Sequence, residues 1–125
     1  LAKMTSWEYF SNNKNFLKVM LPIFDLIDEH TFKSNPSWNM NEAWGFKQSF
    51  GDYSKPHNHV PHKVFLSGAM MLTNHSQSLY FPEIKETLEA KTGNFAIFSS
   101  FLEHHNNRNK TDKDRYGMSF NLYYV

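Results

Sequence analysis

Cysteine is absent from the 125 residues. That excludes a disulfide framework and any thiolate metal site, and leaves histidine and the carboxylates as the strong ligands available. A charge excess of one sign is missing too: 13 Lys and Arg stand against 12 Asp and Glu, and the basic residues are scattered rather than striped. Such a balance signals neither nucleic-acid binding nor membrane adhesion, and points to a small-molecule or peptidyl substrate. No apolar run approaches the roughly 18 residues of a membrane span, and no charged-then-apolar leader opens the chain. A soluble, cytoplasmic protein is therefore expected. The first residue is Leu1 rather than methionine, which leaves room for an upstream segment. Oligomeric state is not legible from one sequence, because the exposure of edge strands is not.

Aromatic residues are plentiful, at 17% with 12 Phe and 3 Trp, and this is ample material for one core. The length suits one domain. We expect a single domain over 1–125, with a helical lead-in over 1–37 and a β core over 38–125. Thr5 followed by Glu8 has capping-box spacing and introduces a short helix around Trp7, Tyr9 and Phe10, which Asn12, Asn13 and Asn15 interrupt. Leu17, Met20, Leu21, Phe24 and Ile27 recur at three- and four-residue spacing, which predicts a helix burying that face, kinked or restarted at Pro22. Past the Ser34-Asn35-Pro36-Ser37 loop the period changes. Ala43 to Phe50, Lys63 to Leu72, Leu79 to Phe81, Asn94 to Ser99 and Tyr116 to Val125 read as strands, separated by turns such as Gly51-Asp52 and Thr92-Gly93. Short strands at this spacing are those of a sandwich or barrel. The polar run Asn106 to Asp114 reads as an exposed, mobile loop.

Seven histidines give the chemistry. In Gly51-Asp52-Tyr53-Ser54-Lys55-Pro56-His57-Asn58-His59, an extended backbone puts His57 and His59 on one face, because strand side chains alternate. A metal held by that pair needs a third protein ligand from a neighbouring strand, and His104, at the end of the Gly93 to His104 segment, is the candidate, with His105 its rival. On the residues alone, an H-x-H pair after a proline also fits two surface histidines. His62 and His75 fit solvent exposure. His30 suits a helix C-terminus, where a cation meets the dipole. The three tryptophans, Trp7, Trp38 and Trp44, are expected in the core.

The ordered segments G-D-Y-x-x-P-H-x-H, L-S-G, G-N-F-A-I-F-x-S-F-L-x-H and R-Y-G-M-S-F-N, over about Trp44 to Leu122, resemble a small phage and bacterial group of 2-oxoglutarate-Fe(II) oxygenases. The resemblance implies a mainly β, double-stranded β-helix (jelly roll) with an N-terminal helical segment. It implies Fe(II) held by His57, His59 and His104, with 2-oxoglutarate chelating beside it and Arg115 clamping its distal carboxylate. Arginine suits that role because its planar fork makes two parallel hydrogen bonds and stays charged in a partly dry pocket. Ser119 and Tyr80 are further cosubstrate candidates, and Tyr53, Lys63 and Asn121 lie on or beside the same strands. The implied activity is an O2-consuming hydroxylase that converts 2-oxoglutarate to succinate, in a host cytoplasm if a phage encodes it. Gly117 stands where the group has a serine, Ser99 where it has a proline, and His59 where the wider superfamily has a carboxylate ligand. A neutral imidazole there leaves the iron site one unit more positive.

Two other readings stay open. Gly51, the H-x-H pair, Gly93 and His104 also resemble the two cupin motifs, although no glutamate follows His59 over Val60-Pro61-His62-Lys63 and a cupin gives Arg115 no task. The other is an inactive jelly-roll interaction module.

Overall fold

Alternation along the last strand organises the molecule. In a computed structural model describing residues 2–30, 38–59 and 66–124, β9 (Arg115–Tyr124) sends Met118, Phe120 and Leu122 to one side and Arg115, Ser119 and Asn121 to the other. The first side is apolar and packs on a helix; the second lines a cavity of about 280 Å³. Among the described residues the remaining elements are β1 (Lys3–Met4), α1 (Lys14–His30), β2 (Trp38–Gln48), β3 (Ser54–His57), β4 (Leu66–Met71), β5 (Leu79–Phe81), β6 (Glu86–Leu88), β7 (Phe95–Ser99) and β8 (His104–Asn106). They form two antiparallel sheets, β1-β2-β9-β4-β7 and β3-β8-β5-β6. This is the expected mainly β jelly roll with an N-terminal helix. No described helix is long and apolar enough to cross a membrane.

Helix α1 covers the large sheet. Asn13 starts it by accepting a hydrogen bond from the Phe16 amide at 3.0 Å, which satisfies one orphan donor of the first turn. Phe16, Met20, Ile23 and Ile27 then meet Ala43, Met70, Met118, Phe120 and Leu122. Met20, Phe120 and Leu122 are wholly buried, and each such side chain contributes about 1.5–3 kcal/mol by leaving water. The expected face is therefore rotated: Leu17 and Leu21 are exposed, Phe24 is half-buried, and Phe16 and Ile23 take their places. Both sets have helical spacing, so periodicity alone cannot choose between them. The helix runs through Pro22, whose side chain is exposed.

Three other expectations are corrected. Residues 7–12 form turns rather than a short helix, because their amides bond three residues back or to β2: Tyr9 to Ser6, Ser11 to Glu8, and Phe10 to the Ala43 carbonyl at 2.9 Å. Residues 106–114 are polar yet pinned. Asn109 is 1% exposed, and its amide donates to the Gln48 and Lys113 carbonyls while accepting from the Thr111 amide. His75 is half-buried and ties the same loop down through the Lys113 carbonyl. The 34–37 loop, the strand start at Lys63, His62 and Val125 lie outside the described residues.

Two glycines of the sequence motifs are spaces for rings. A Cβ on Gly68 would lie 2.1 Å from the Phe120 ring, and one on Gly117 would lie 2.5 Å from the Phe46 ring. Each pair is also a cross-strand register pair, Gly68 with Phe120 and Gly117 with Phe46.

Candidate active site

The site lies between the sheets, at the cavity. β3 is an edge strand, which tolerates Pro56 because a proline cannot donate to a ladder. Its last residue, His57, pairs with His104 at the start of β8. Two residues on, the His59 amide donates to the Ser100 carbonyl at 2.9 Å and holds that ring beside the other two. One ligand atom from each of His57, His59 and His104 lies within 4.8 Å of the others. A point central to three atoms so spaced is at most about 2.8 Å from each, and a metal–imidazole bond of about 2.1 Å is reached by small side-chain movements.

The second nitrogens show that the three rings suit a metal. His57 Nδ1 lies 2.7 Å from the Lys55 carbonyl, His104 Nδ1 lies 3.0 Å from the Leu102 carbonyl, and His59 Nδ1 lies 2.7 Å from Asn121 Oδ1. Carbonyl oxygens only accept, so each Nδ1 carries the proton and each Nε2 keeps its lone pair for a ligand bond. His104 is 5% exposed, with Phe98 and Phe81 packed on its ring. Burial, followed by repulsion from His57 and His59, pushes its pKa down to about 4, so it is neutral and ready to ligate near pH 7. His105 points the other way. It pairs with Tyr80 on the outer side of the small sheet, ring centroids 5.7 Å apart, which is the alternation expected of adjacent strand residues.

At the β2 side of the cavity lies Arg115, 1% exposed. Its Nη1 donates to Gln48 Oε1 at 2.7 Å, its Nη2 lies 3.2 Å from Met71 Sδ, its guanidinium sits 5.2 Å from the centre of the Phe46 ring, and its Nε has no partner. Gln48 is held in turn by Asn106, amide to amide, at 3.1 and 2.9 Å, and Asn106 Oδ1 also accepts from Ser54. Among the described residues no carboxylate pairs with Arg115. Burial alone accounts for the lowering of its pKa to about 10. A buried cation without a counter-charge is costly, and the cavity beside it has room for an anion.

Ser119 and Asn121 line the cavity; Tyr80 and Tyr53 do not. Tyr80 is exposed, and Tyr53 lies under the Arg108 guanidinium at 4.3 Å. Lys63 lies outside the described residues. Trp7 departs from its expected place in the core, being 46% exposed at the cavity wall, where it packs on Trp44 with centroids 4.6 Å apart. Sequence reasoning missed Gln48 and Asn106, which carry no motif and acquire their role only through pairing across three strands.

Neither a family model nor a curated protein matches this chain in sequence. Solved structures do match in shape. A 2OG-Fe(II) oxygenase-family oxidoreductase from Burkholderia pseudomallei superposes with a TM-score of 0.70 at 8% identity, over 87% of this chain and 56% of that one. The chain thus spans little more than half the length of that protein. The viral collagen prolyl hydroxylase of Paramecium Bursaria Chlorella virus-1, solved with 2OG, gives 0.76 at 12% identity, over 98% and 78%. A cupin domain from Bordetella pertussis gives 0.51 at 13%, over 74% and 98%. At these identities the likeness is one of architecture: the chain has the double-stranded β-helix common to 2-oxoglutarate oxygenases and cupins.

Proposed function

We propose that this chain is an Fe(II)- and 2-oxoglutarate-dependent oxygenase acting on a small-molecule or peptidyl substrate, and that residues 1–125 work as one domain. One observation carries the reading: a three-histidine cluster and a buried arginine that has no carboxylate partner among the described residues share one cavity. A cupin-type metal site accounts for the first and leaves the second unexplained. The viral neighbour solved with 2OG supports the same choice.

Bound iron and 2-oxoglutarate supply the oxidative chemistry, in which O2 is consumed, the cosubstrate is decarboxylated to succinate and a C–H bond of the substrate is hydroxylated. The chain's own part is to bind, orient and exclude water. His57, His59 and His104 hold the metal through Nε2, each locked by its Nδ1 hydrogen bond. Arg115 binds the distal carboxylate, with its free Nε and with Nη atoms already oriented by Gln48. Ser119, on the cavity side of β9 between Arg115 and Asn121, is assigned to the cosubstrate as a hydroxyl partner. Tyr80 is left out because it does not line the cavity. Phe46 fills the space that a side chain at position 117 would need, so Arg115 acts without a serine beside it. Phe98, Leu79 and Trp44 give the cavity dry walls.

The test is an anaerobic titration with Fe(II) and then 2-oxoglutarate, followed by the visible charge-transfer absorption of the iron–cosubstrate complex. The band is expected for the wild type and absent for His57→Ala and Arg115→Ala. Iron binding without a band supports the cupin reading, and no iron binding at all overturns the proposal.

A further inference from the structure

One chain of hydrogen bonds leads away from the metal ligands and ends on a carboxylate. His59 Nδ1 lies 2.7 Å from Asn121 Oδ1 and 2.8 Å from Ser67 Oγ, and the Ser67 hydroxyl itself lies 3.1 Å from Asn121 Oδ1. On its other side Asn121 Nδ2 donates to Glu42 Oε2 at 3.4 Å, and the Tyr123 hydroxyl donates to Glu42 Oε1. Asn121 and Ser67 are at most 1% exposed. A carboxylate only accepts, so Glu42 fixes which end of the Asn121 amide faces it; the oxygen must then face His59, and the ring must carry its proton on Nδ1. The direction of the whole chain follows from its acidic end.

The backbone is shaped to make this chain. Between Asn39 and Glu42 the β2–β9 register slips, so that Asn39 faces Tyr123 and Glu42 faces Asn121. Three steps along β2 match two along β9, which is one inserted residue. Without it Asn41 would stand opposite Asn121, and Glu42 would point to the helix side. Bulges beside active sites commonly re-aim a side chain in this way.

We propose that Asn121 is a positioning residue for His59, and that Glu42, acting through it, supplies at one remove the negative charge that a carboxylate ligand would bring. The inference rests on the three-histidine metal reading. His59 occupies the place of that carboxylate, and an imidazole whose Nδ1–H is given to an acceptor backed by a carboxylate is a stronger donor at Nε2. The Tyr123 hydroxyl, its pKa pushed up to about 12 by burial and by Glu42, stays protonated and remains a donor to that carboxylate.

The experiment compares wild type, Asn121→Ala, Glu42→Gln and the double variant Glu42→Gln/Asn121→Asp. Anaerobic Fe(II) dissociation constants are measured without cosubstrate, and the His59 tautomer is read by nitrogen-15 NMR of the metal-free protein, with urea midpoints as a check on folding. The expected wild-type ring is the Nδ1–H tautomer. Asn121→Ala mixes the tautomers and weakens Fe(II) binding about 10- to 100-fold. Glu42→Gln weakens it by less than about tenfold. The double variant restores both readings, because the new amide at position 42 still accepts from Tyr123 and donates to the new carboxylate at position 121, which in turn accepts from His59. Wild-type iron binding that Asn121→Ala and Glu42→Gln leave unchanged, with the tautomer intact, overturns this inference and spares the metal reading. Failure of the wild type to bind iron overturns both. A loss in Asn121→Ala that Glu42→Gln does not share overturns the part given to Glu42.

Discussion

Replacing Arg115 by methionine separates what the arginine costs the fold from what it gives the site. Burial pulls the Arg115 guanidinium well below its free value, to about 10; at about 1.4 kcal/mol per pH unit, keeping the charge in that pocket costs about 3 kcal/mol. The variant removes this cost. It also loses the charged hydrogen bond to Gln48, worth about 1.5–3 kcal/mol, and the contact with the Phe46 face, worth about 0.5–1 kcal/mol. Gln48 Oε1 is not orphaned, because the Asn106 amide still donates to it at 2.9 Å, and a methionine is apolar like the Phe46 and Met71 it would touch. The expected balance for the ligand-free protein is within about 1 kcal/mol of the wild type in either direction, in line with the small cost of exchanging buried charges for apolar groups. With Zn(II) in place of iron and 2-oxoglutarate at 100 times its dissociation constant, the wild type gains about 2.7 kcal/mol and the variant gains nothing. Urea unfolding at pH 7.5 with and without cosubstrate reads both halves. A variant destabilised by more than about 2 kcal/mol, or one still stabilised by 2-oxoglutarate, refutes the idea that Arg115 is an anion receptor carried at the fold's expense.

The same packing yields two further predictions. Gly117→Ser restores the side chain that the resembled family carries but drives its Cβ into the Phe46 ring, so a loss of about 1–3 kcal/mol is expected from urea midpoints; Phe46→Ala in the same chain should recover part of it and tighten 2-oxoglutarate binding. The second concerns pH. The folded-state pKa of His104, about 4, lies below its unfolded value of about 6.5, so between those limits the unfolded chain holds the extra proton. Stability therefore rises with pH across the window. Metal-free protein is expected to lose up to about 3 kcal/mol as pH falls from 6.5 to 4, and His104→Phe to lose visibly less over the same range; equal slopes in the two proteins refute the assignment.

The legible part of the site was the part that repeats at fixed spacing. Strand alternation alone puts His57 and His59 on one face, and alternation in β8 decides between His104 and His105 once the strand is known to begin there. That start is invisible in the sequence, since β8 has only three residues and follows a turn. Helix α1 was legible as a helix but not in its facing, because apolar residues flank its buried stripe on both sides: Leu17, Val19, Leu21 and Leu26 are all exposed. The 106–114 run misled through its composition. Asparagines and threonines usually signal solvent, yet here Asn109 and Thr111 bond the loop's own backbone, which is how short polar side chains stabilise irregular chain. The role of Asn121 could not be read at all, because it depends on one inserted residue in a different strand.

The charges explain why these features belong together. Arg115 is the only Lys, Arg, Asp or Glu among the described residues lining the cavity, and the three proposed ligands are neutral imidazoles. A divalent ion would therefore add two positive charges to a pocket that already holds one, and Glu42 is linked to His59 through Asn121 rather than by direct contact with the site. A dicarboxylate answers both ends at once, one carboxylate at the metal and one at Arg115. Metal and cosubstrate should then bind with positive coupling, and by linkage each raises the other's affinity by the same factor. The burial cost of Arg115 falls away only when that anion is in place, so fold stability, metal affinity and cosubstrate affinity are three readings of one electrostatic balance.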